Sequence, residues 1–261
     1  MLSRRALLSL AALPLKAADP IHLVAHRGGI VDDQHAENSP ASLNDAIAAG
    51  YWMVEVDVRR TKDGEPILQH DADFRRFYSQ PHRVEELTWD EIRRFRAQPG
   101  NSAPLHFRDL VQLCQGKVRL MLDIKGYDWP PAFYENLAKI LSDHDLLRTA
   151  FLLGGRNATT LPITQNAKAS INSAGLSKAL AAGEDVASRY YLFELASDIT
   201  PATVALCRKS GIPCVAAINT FRYTMAKRDE WEGPKEDAAR LLALGVTHFQ
   251  IDSRYGSLFP R

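Results

Sequence analysis

The chain of 261 residues is 46% hydrophobic and 24% charged, the balance of a soluble globular protein with core enough for one large domain. Its 32 basic and 31 acidic residues leave a net charge of +1 and no basic stripe, which argues against a nucleic-acid partner. Three cysteines allow at most one disulfide, and with no CxxC or Cys/His ligand spacing in the chain a zinc site is not expected.

Residues 1–18 read as a cleaved export signal. Ser3-Arg4-Arg5 is followed by an apolar run from Ala6 to Leu15 and then by Lys16-Ala17-Ala18; about ten apolar residues are too few to span a membrane. The adjacent arginines with leucines behind them resemble a twin-arginine signal, which exports folded proteins, and an ordinary secretory signal is the alternative. The expected destination is the bacterial periplasm or the extracellular space. No stable membrane anchor is expected, because no cysteine lies near the cleavage point to carry a lipid. Removing Arg4, Arg5 and Lys16 takes the count to 29 basic and 31 acidic residues, a net charge of about −2.

Residues 19–261 read as a single catalytic domain in which short β-branched runs alternate with helical ones. Parallel strands are predicted near 22–27, 53–59, 118–125, 149–154, 168–173, 190–196, 213–219 and 246–252. Eight is the number that a closed α/β barrel of the TIM type, (β/α)8, requires. Ser39-Pro40, the capping-box pattern Thr88-Trp89-Asp90-Glu91 and Thr200-Pro201 open helices, and Gly50, Gly183 and Gly245 end them. After the second strand, Asp63-Gly64 reads as a two-residue hairpin turn, so that Ile67-Leu68-Gln69-His70 forms an extra antiparallel arm with His70 opposite Asp57. The long connection over 71–117 reads as a small insertion above the barrel mouth. Cys207 is placed on a helix and Cys214 at the next strand's start; both are expected as free, packed thiols, a bridge between them in an oxidising compartment being the alternative.

Active sites of such barrels lie at the C-terminal ends of the strands, and there the polar residues gather. His26 and Arg27 end the first strand, Glu55 and Asp57 the second, Asp123 and Lys125 the third. Glu55, Asp57 and Asp123 offer only oxygen donors, which favours one hard divalent cation, Mg²⁺ or Ca²⁺. His26 and His70 flank that position, as a proton acceptor and a proton donor would. Arg27 and Lys125 add fixed positive charge suited to a phosphate. His22, His35, His82, His106, His144 and His248 read as structural. Gly28-Gly29 reads as a place where backbone approaches a ligand closely.

These residues carry a resemblance. His26-Arg27-Gly28, Glu37-Asn38-Ser39, Glu55-Val56-Asp57-Val58, Thr61-Lys62-Asp63-Gly64-Glu65-Pro66 and His70-Asp71 are similar, in order and spacing, to the signature of the glycerophosphodiester phosphodiesterase family. The likeness continues more thinly through Leu87-Thr88-Trp89-Asp90-Glu91-Ile92, Pro104-Leu105 and Leu122-Asp123-Ile124-Lys125, with faint echoes at Ala217-Ile218-Asn219 and Ile251-Asp252. It implies a metal-dependent hydrolase on a TIM-type barrel that cleaves glycerophosphodiesters, a small-molecule substrate, to glycerol 3-phosphate and an alcohol. By matching position it makes His26 and His70 the acid/base pair, Glu55 and Asp57 metal ligands, and Arg27 and Lys125 phosphate binders. Glu37 is expected to touch the metal or to orient Arg27. Asp123 departs from the family's usual glutamate, and Ala216-Ala217-Ile218 stands where many relatives place a tryptophan, so Phe221, Tyr223 and Trp231 become candidate walls on the leaving-group side. Two rival readings are a phospholipase D or sphingomyelinase D type of enzyme on intact lipids, with Phe74, Phe77 and Tyr78 as the candidates for an apolar rim, and a non-catalytic phosphodiester-binding barrel.

Overall fold

Alternation of side chains along each parallel strand gives this molecule an inner and an outer core. The computed structural model describes residues 19–126 and 129–260; the expected export signal lies outside them. Eleven strands occur in chain order among the described residues: β1 (His22–Ala25), β2 (Met53–Arg60), β3 (Pro66–Leu68), β4 (Asp73–Phe74), β5 (Gln80–Arg83), β6 (Arg119–Ile124), β7 (Phe151–Leu153), β8 (Lys168–Ile171), β9 (Tyr190–Leu195), β10 (Cys214–Ile218) and β11 (His248–Ile251). β1, β2 and β6 to β11 pair in parallel, and β1 joins both β11 and β2, so the eight strands close into a TIM-type barrel. Each barrel strand forms within a residue or two of its expected bounds. Val54, Val56, Leu120 and Leu122 point outward into the layer shared with the helices, while Val24, Met53, Met121, Phe151, Tyr191 and Val215 fill the barrel itself.

The helices begin where their caps predict. Ser39 caps Pro40–Ala48 with Ser42 as its reciprocal partner, Thr88 and Glu91 close a capping box on Trp89–Ile92, and the Thr200 side chain accepts from Thr203 N ahead of Pro201–Ser210. Gly50, Gly183 and Gly245 adopt left-handed φ after their helices. Cys207 and Cys214 are buried and unbridged, as is Cys114.

The hairpin arm forms, but one residue out of the expected register. Val58 pairs with Leu68, Arg59 with Ile67 and Arg60 with Pro66, and Gln69 N donates to Asp57 O, so Gln69 rather than His70 lies opposite Asp57. The turn is the reason. Gly64 N donates to Thr61 O, Thr61 N donates to Glu65 O, and Gly64 alone takes a positive φ, of 93°, while Asp63 does not. This is a three-residue loop built on a type I turn with a left-handed glycine, not the two-residue turn that needs positive φ at both central positions. The insertion carries its own small core: Phe74, Tyr78, Val84 and Ile92 pack with Ile67 beside the β4–β5 pair. Phe74 and Tyr78 are therefore interior residues and not an exposed rim.

At the opposite, N-terminal end of the barrel His22, Trp52 and His248 form an aromatic plug, with ring centroids 4.6 Å apart for the two histidines and 5.1 Å for Trp52 and His248. Burial, helped by His22, pushes His248 down from 6.5 to about 4. An unfolded chain protonates this ring near 6.5, so between about pH 6.5 and 4 the unfolded state binds the extra proton and stability falls as pH falls. On the order of 2–3 kcal/mol is expected to be lost across that window. Urea denaturation at pH 7 and pH 4.5 checks this: the loss is smaller in His248→Gln, and an unchanged loss refutes the assignment.

Candidate active site

The site is assembled on the inward positions of β1, β2, β6, β10 and β11 at their C-terminal ends. Inward Met53 is succeeded by Glu55 and Asp57 along β2, and inward Met121 by Asp123 along β6; the β2–β6 register sets Asp57 beside Asp123. Carboxylate oxygens of Glu55, Asp57 and Asp123 lie within 4.8 Å of one another. Glu55 and Asp57 are each only 1% exposed, a costly burial for two carboxylates without cationic partners. Burial, followed by the like charges of Asp57 and Asp123, pushes the Glu55 carboxyl well above the usual carboxylate range. Burial also acts upward on Asp57, but the Lys125 ammonium, the His70 ring and the Asn38 amide outweigh it and hold Asp57 below that range.

Lys125 Nζ lies 2.9 Å from Asp57 Oδ1 and 2.5 Å from Asp123 Oδ2. Its hydrogen bond goes to Asp123 Oδ2, which leaves donor capacity for a substrate oxygen. Asp57 Oδ1 is buried and makes no well-directed hydrogen bond; its contact with Lys125 is an ion pair outside hydrogen-bonding geometry. An all-oxygen donor set with a buried, incompletely satisfied oxygen fits a hard divalent cation. Asp123 reaches the cluster despite being one methylene shorter than a glutamate.

His26 and His70 are held in the same way. His26 Nδ1 lies 2.6 Å from Asp252 Oδ1, and His70 Nδ1 lies 2.8 Å from Asp71 Oδ1. Burial acts upward on Asp252, but the His26 ring together with Thr220 outweighs it and holds the carboxyl at about 2, and the His70 contact holds Asp71 lower still. Ionised carboxylates only accept, so both Nδ1 atoms carry the proton and each Nε2 is left for the site. His26 Nε2 lies 4.0 Å from Glu55 Oε2, and His70 Nε2 accepts from Arg27 Nη2 at 3.1 Å. His70 reaches the site from beyond the end of the paired arm rather than from a position facing Asp57.

Arg27 ties these parts together. Its backbone is left-handed (φ 54°), its N–H donates to Glu55 Oε2 at 2.8 Å, and its guanidinium spans Glu37 and His70. Glu37 also accepts from Arg76, which in turn holds Asp71. Of the two expectations for Glu37, orientation of Arg27 is the one its geometry matches; it is not among the three clustered carboxylates. Gly28 and Gly29 permit close backbone approach to the Asn38–Ser42 segment: a Cβ on Gly29 would overlap the Ser42 carbonyl at a φ of 136°. Gly29→Ala is expected to destabilise the fold by on the order of 3 kcal/mol, measured as a lower urea midpoint; a midpoint within error of the parent refutes it.

Besides Asp71 and Arg76, two residues escaped assignment from sequence. Asn38, itself left-handed, donates through Nδ2 to Asp57 Oδ2 at 2.9 Å and so fixes one carboxylate of the cluster. Asp252 holds His26 and accepts from Thr220 N at 2.7 Å. Both stood within motif echoes, but no sequence spacing linked them to their partners. Of the candidate walls, Phe221 lies beside His26, Tyr223 is buried against Asp237, and Trp231 is exposed on Tyr255.

Residues 26–125 match the sequence model of the glycerophosphoryl diester phosphodiesterase family. Over those residues the chain is similar to that family. Among its relatives, glycerophosphodiester phosphodiesterase 1 of Mus musculus is 29% identical over 133 residues, which are 47% of this chain and 40% of that protein. The chain thus matches less than half the length of this relative. The probable glycerophosphodiester phosphodiesterase 2 of Mycobacterium tuberculosis is 23% identical over 221 residues, 84% of this chain and 82% of that one. Among solved structures, an Oleispira antarctica phosphodiesterase in complex with the product sn-glycerol-3-phosphate superposes with a TM-score of 0.66 at 18% identity, over 91% of this chain and 96% of that chain. That likeness is one of fold.

Proposed function

We propose that the chain is an enzyme that hydrolyses glycerophosphodiesters, with one divalent cation as cofactor, to sn-glycerol 3-phosphate and an alcohol. The observation that carries the reading is the pair of aspartate-held imidazoles on either side of a buried three-carboxylate cluster, with Arg27 between them. The match to the family model over residues 26–125 and the product bound by the Oleispira protein support the substrate class. Glu55, Asp57 and Asp123 hold the cation, Mg²⁺ or Ca²⁺. When bound, it supplies Lewis-acid polarisation of a phosphoryl oxygen.

The chain's own residues do the rest. Arg27 and the free N–H of Lys125 neutralise and orient the phosphodiester. One imidazole takes the proton of the attacking water or substrate hydroxyl through Nε2, and the other gives a proton to the departing alcohol oxygen. Asp252 and Asp71 keep each ring in the tautomer that turns Nε2 inward. Binding alone would not need two imidazoles so held, which disfavours the non-catalytic barrel. The test is a diester panel: with Mg²⁺ or Ca²⁺, purified protein releases glycerol 3-phosphate from glycerophosphocholine or a related headgroup diester. Diester binding without turnover would sink the reading.

Asp252→Asn probes the ring-holding directly. An amide in place of the carboxylate can offer a donor to Nδ1 and favour the wrong tautomer, so kcat is expected to fall by about a hundredfold with little change in melting temperature. Near-parental kcat would remove Asp252 from this role.

We also propose export directed by residues 1–18. Fractionation of expressing cells and sequencing of the released protein's N-terminus test it; an uncleaved cytosolic product counts against it.

A further inference from the structure

Two thiols that the proposed reaction does not use meet at the N-terminal end of the barrel. Cys207 lies in the last turn of the helix Pro201–Ser210, and Cys214 opens β10. The chain between them doubles back at once: Gly211 takes a left-handed φ of 67°, and Ile212 N donates to Cys207 O at 3.1 Å. Cys214 is thereby set against Cys207, and its S–H donates to the Cys207 sulfur. That bond favours Cys207 as the thiolate, outweighing burial and the nearby Glu194 charge, and it pushes Cys214 up. Both residues are buried, yet both line one cavity of about 380 Å³, with Arg208, Ile212, Pro213 and His248 also in its wall. Cys114 is fully buried away from this cavity, and burial pushes its thiol up to about 12. The three cysteines therefore divide into a pair that a small molecule can reach and a third packed as a hydrophobe.

We propose that Cys207 and Cys214 are a site of reversible oxidative modification, at which a small hydroperoxide entering the cavity joins them in a disulfide. The Cys207 thiolate attacks one peroxide oxygen, the O–O bond breaks, and the departing oxygen takes a proton and leaves as water, so that Cys207 becomes a sulfenic acid. The Cys214 sulfur then attacks the Cys207 sulfur, the S–O bond breaks, and the hydroxyl leaves with the Cys214 proton as a second water. The pair gives up two electrons and two protons, and hydrogen peroxide is reduced to two waters. A small dithiol restores both thiols by exchange. The hydrogen bond already holds the second sulfur where the sulfenic acid forms, so the bridge outcompetes further oxidation of Cys207. Once made, it staples the end of the helix Pro201–Ser210 to the start of β10. The inference stands apart from the hydrolase reading, because both sulfurs lie at the opposite end of the barrel from the clustered carboxylates.

The test exposes the reduced, folded chain to hydrogen peroxide and follows intact mass, thiol titre after denaturation, and peptide mapping without reductant. The mass is expected to fall by two hydrogens, the titre to drop from three thiols to one, and mapping to join Cys207 to Cys214 while Cys114 stays free. The bridge closes a short loop, so the melting temperature is expected to rise by about 5 °C and to return on treatment with dithiothreitol. Cys114→Ser is expected to behave as the parent. Cys214→Ser keeps a hydroxyl beside Cys207 but removes the second sulfur, and is expected to accumulate a Cys207 sulfenic acid that dimedone traps; Cys207→Ser is expected to show no such adduct at Cys214. Three thiols surviving peroxide that fully oxidises the urea-unfolded chain overturn the proposal. So do a sulfinic acid at Cys207 with Cys214 still free, consumption of Cys114 ahead of the pair, or a bridge that lowers the melting temperature, which would mean that it forms only in a distorted chain.

Discussion

Replacing His26 or His70 by alanine is expected to lower turnover of glycerophosphocholine by about a hundredfold or more while leaving the fold and cation binding largely intact. Neither ring is a core residue or belongs to the three-carboxylate cluster. What each substitution removes is an Nε2 positioned by an aspartate, the group that moves a proton as the phosphorus–oxygen bond changes. If the two act on one transition state, the double variant loses much less than the product of the single losses. Steady-state kinetics on the three variants, with circular dichroism as a check on folding, decides the matter. A His70→Ala protein with near-normal turnover would remove His70 from the chemistry even if the diesterase activity itself held.

The second large effect is expected at the carboxylates. Asp57→Asn and Glu55→Gln each remove a buried anionic oxygen from a set of three, and the affinity for Mg²⁺ or Ca²⁺ is expected to fall by about a hundredfold or more, read by calorimetry without any substrate. Excess chelator is expected to abolish activity, and hard divalent ions to restore it. Lys125 sharpens the test because its ammonium already lies on Asp57 and Asp123 and opposes a second cation there. Cation affinity in Asp57→Asn equal to that of the parent, or full activity in chelator, would take the ion out of the reading.

The barrel was legible because its signals are local. β-branched runs give strands, and Ser39, Thr88 and Thr200 give helix starts whatever surrounds them. The inward alternation that gathers Glu55, Asp57 and Asp123 follows from strand geometry alone. The arm's register did not follow, because Asp63-Gly64 suits both a two-residue turn and a three-residue loop with glycine at its left-handed position, and one residue separates them. Asp252 was illegible as a partner because 226 residues separate it from His26 and only barrel closure brings them together. Phe74 and Tyr78 were misplaced as surface because composition does not say that an insertion will bury a core of its own.

That closure has a consequence for the life of the chain. His26 stands on the first strand's exit and Asp252 on the last strand's, on opposite sides of the β1–β11 seam. A polypeptide still emerging from the ribosome has one half of this pair and not the other, and a product truncated before β11 never acquires it. The pair therefore waits for β11 to be made, and an intact His26–Asp252 contact reports that the first and last strands of the barrel have met.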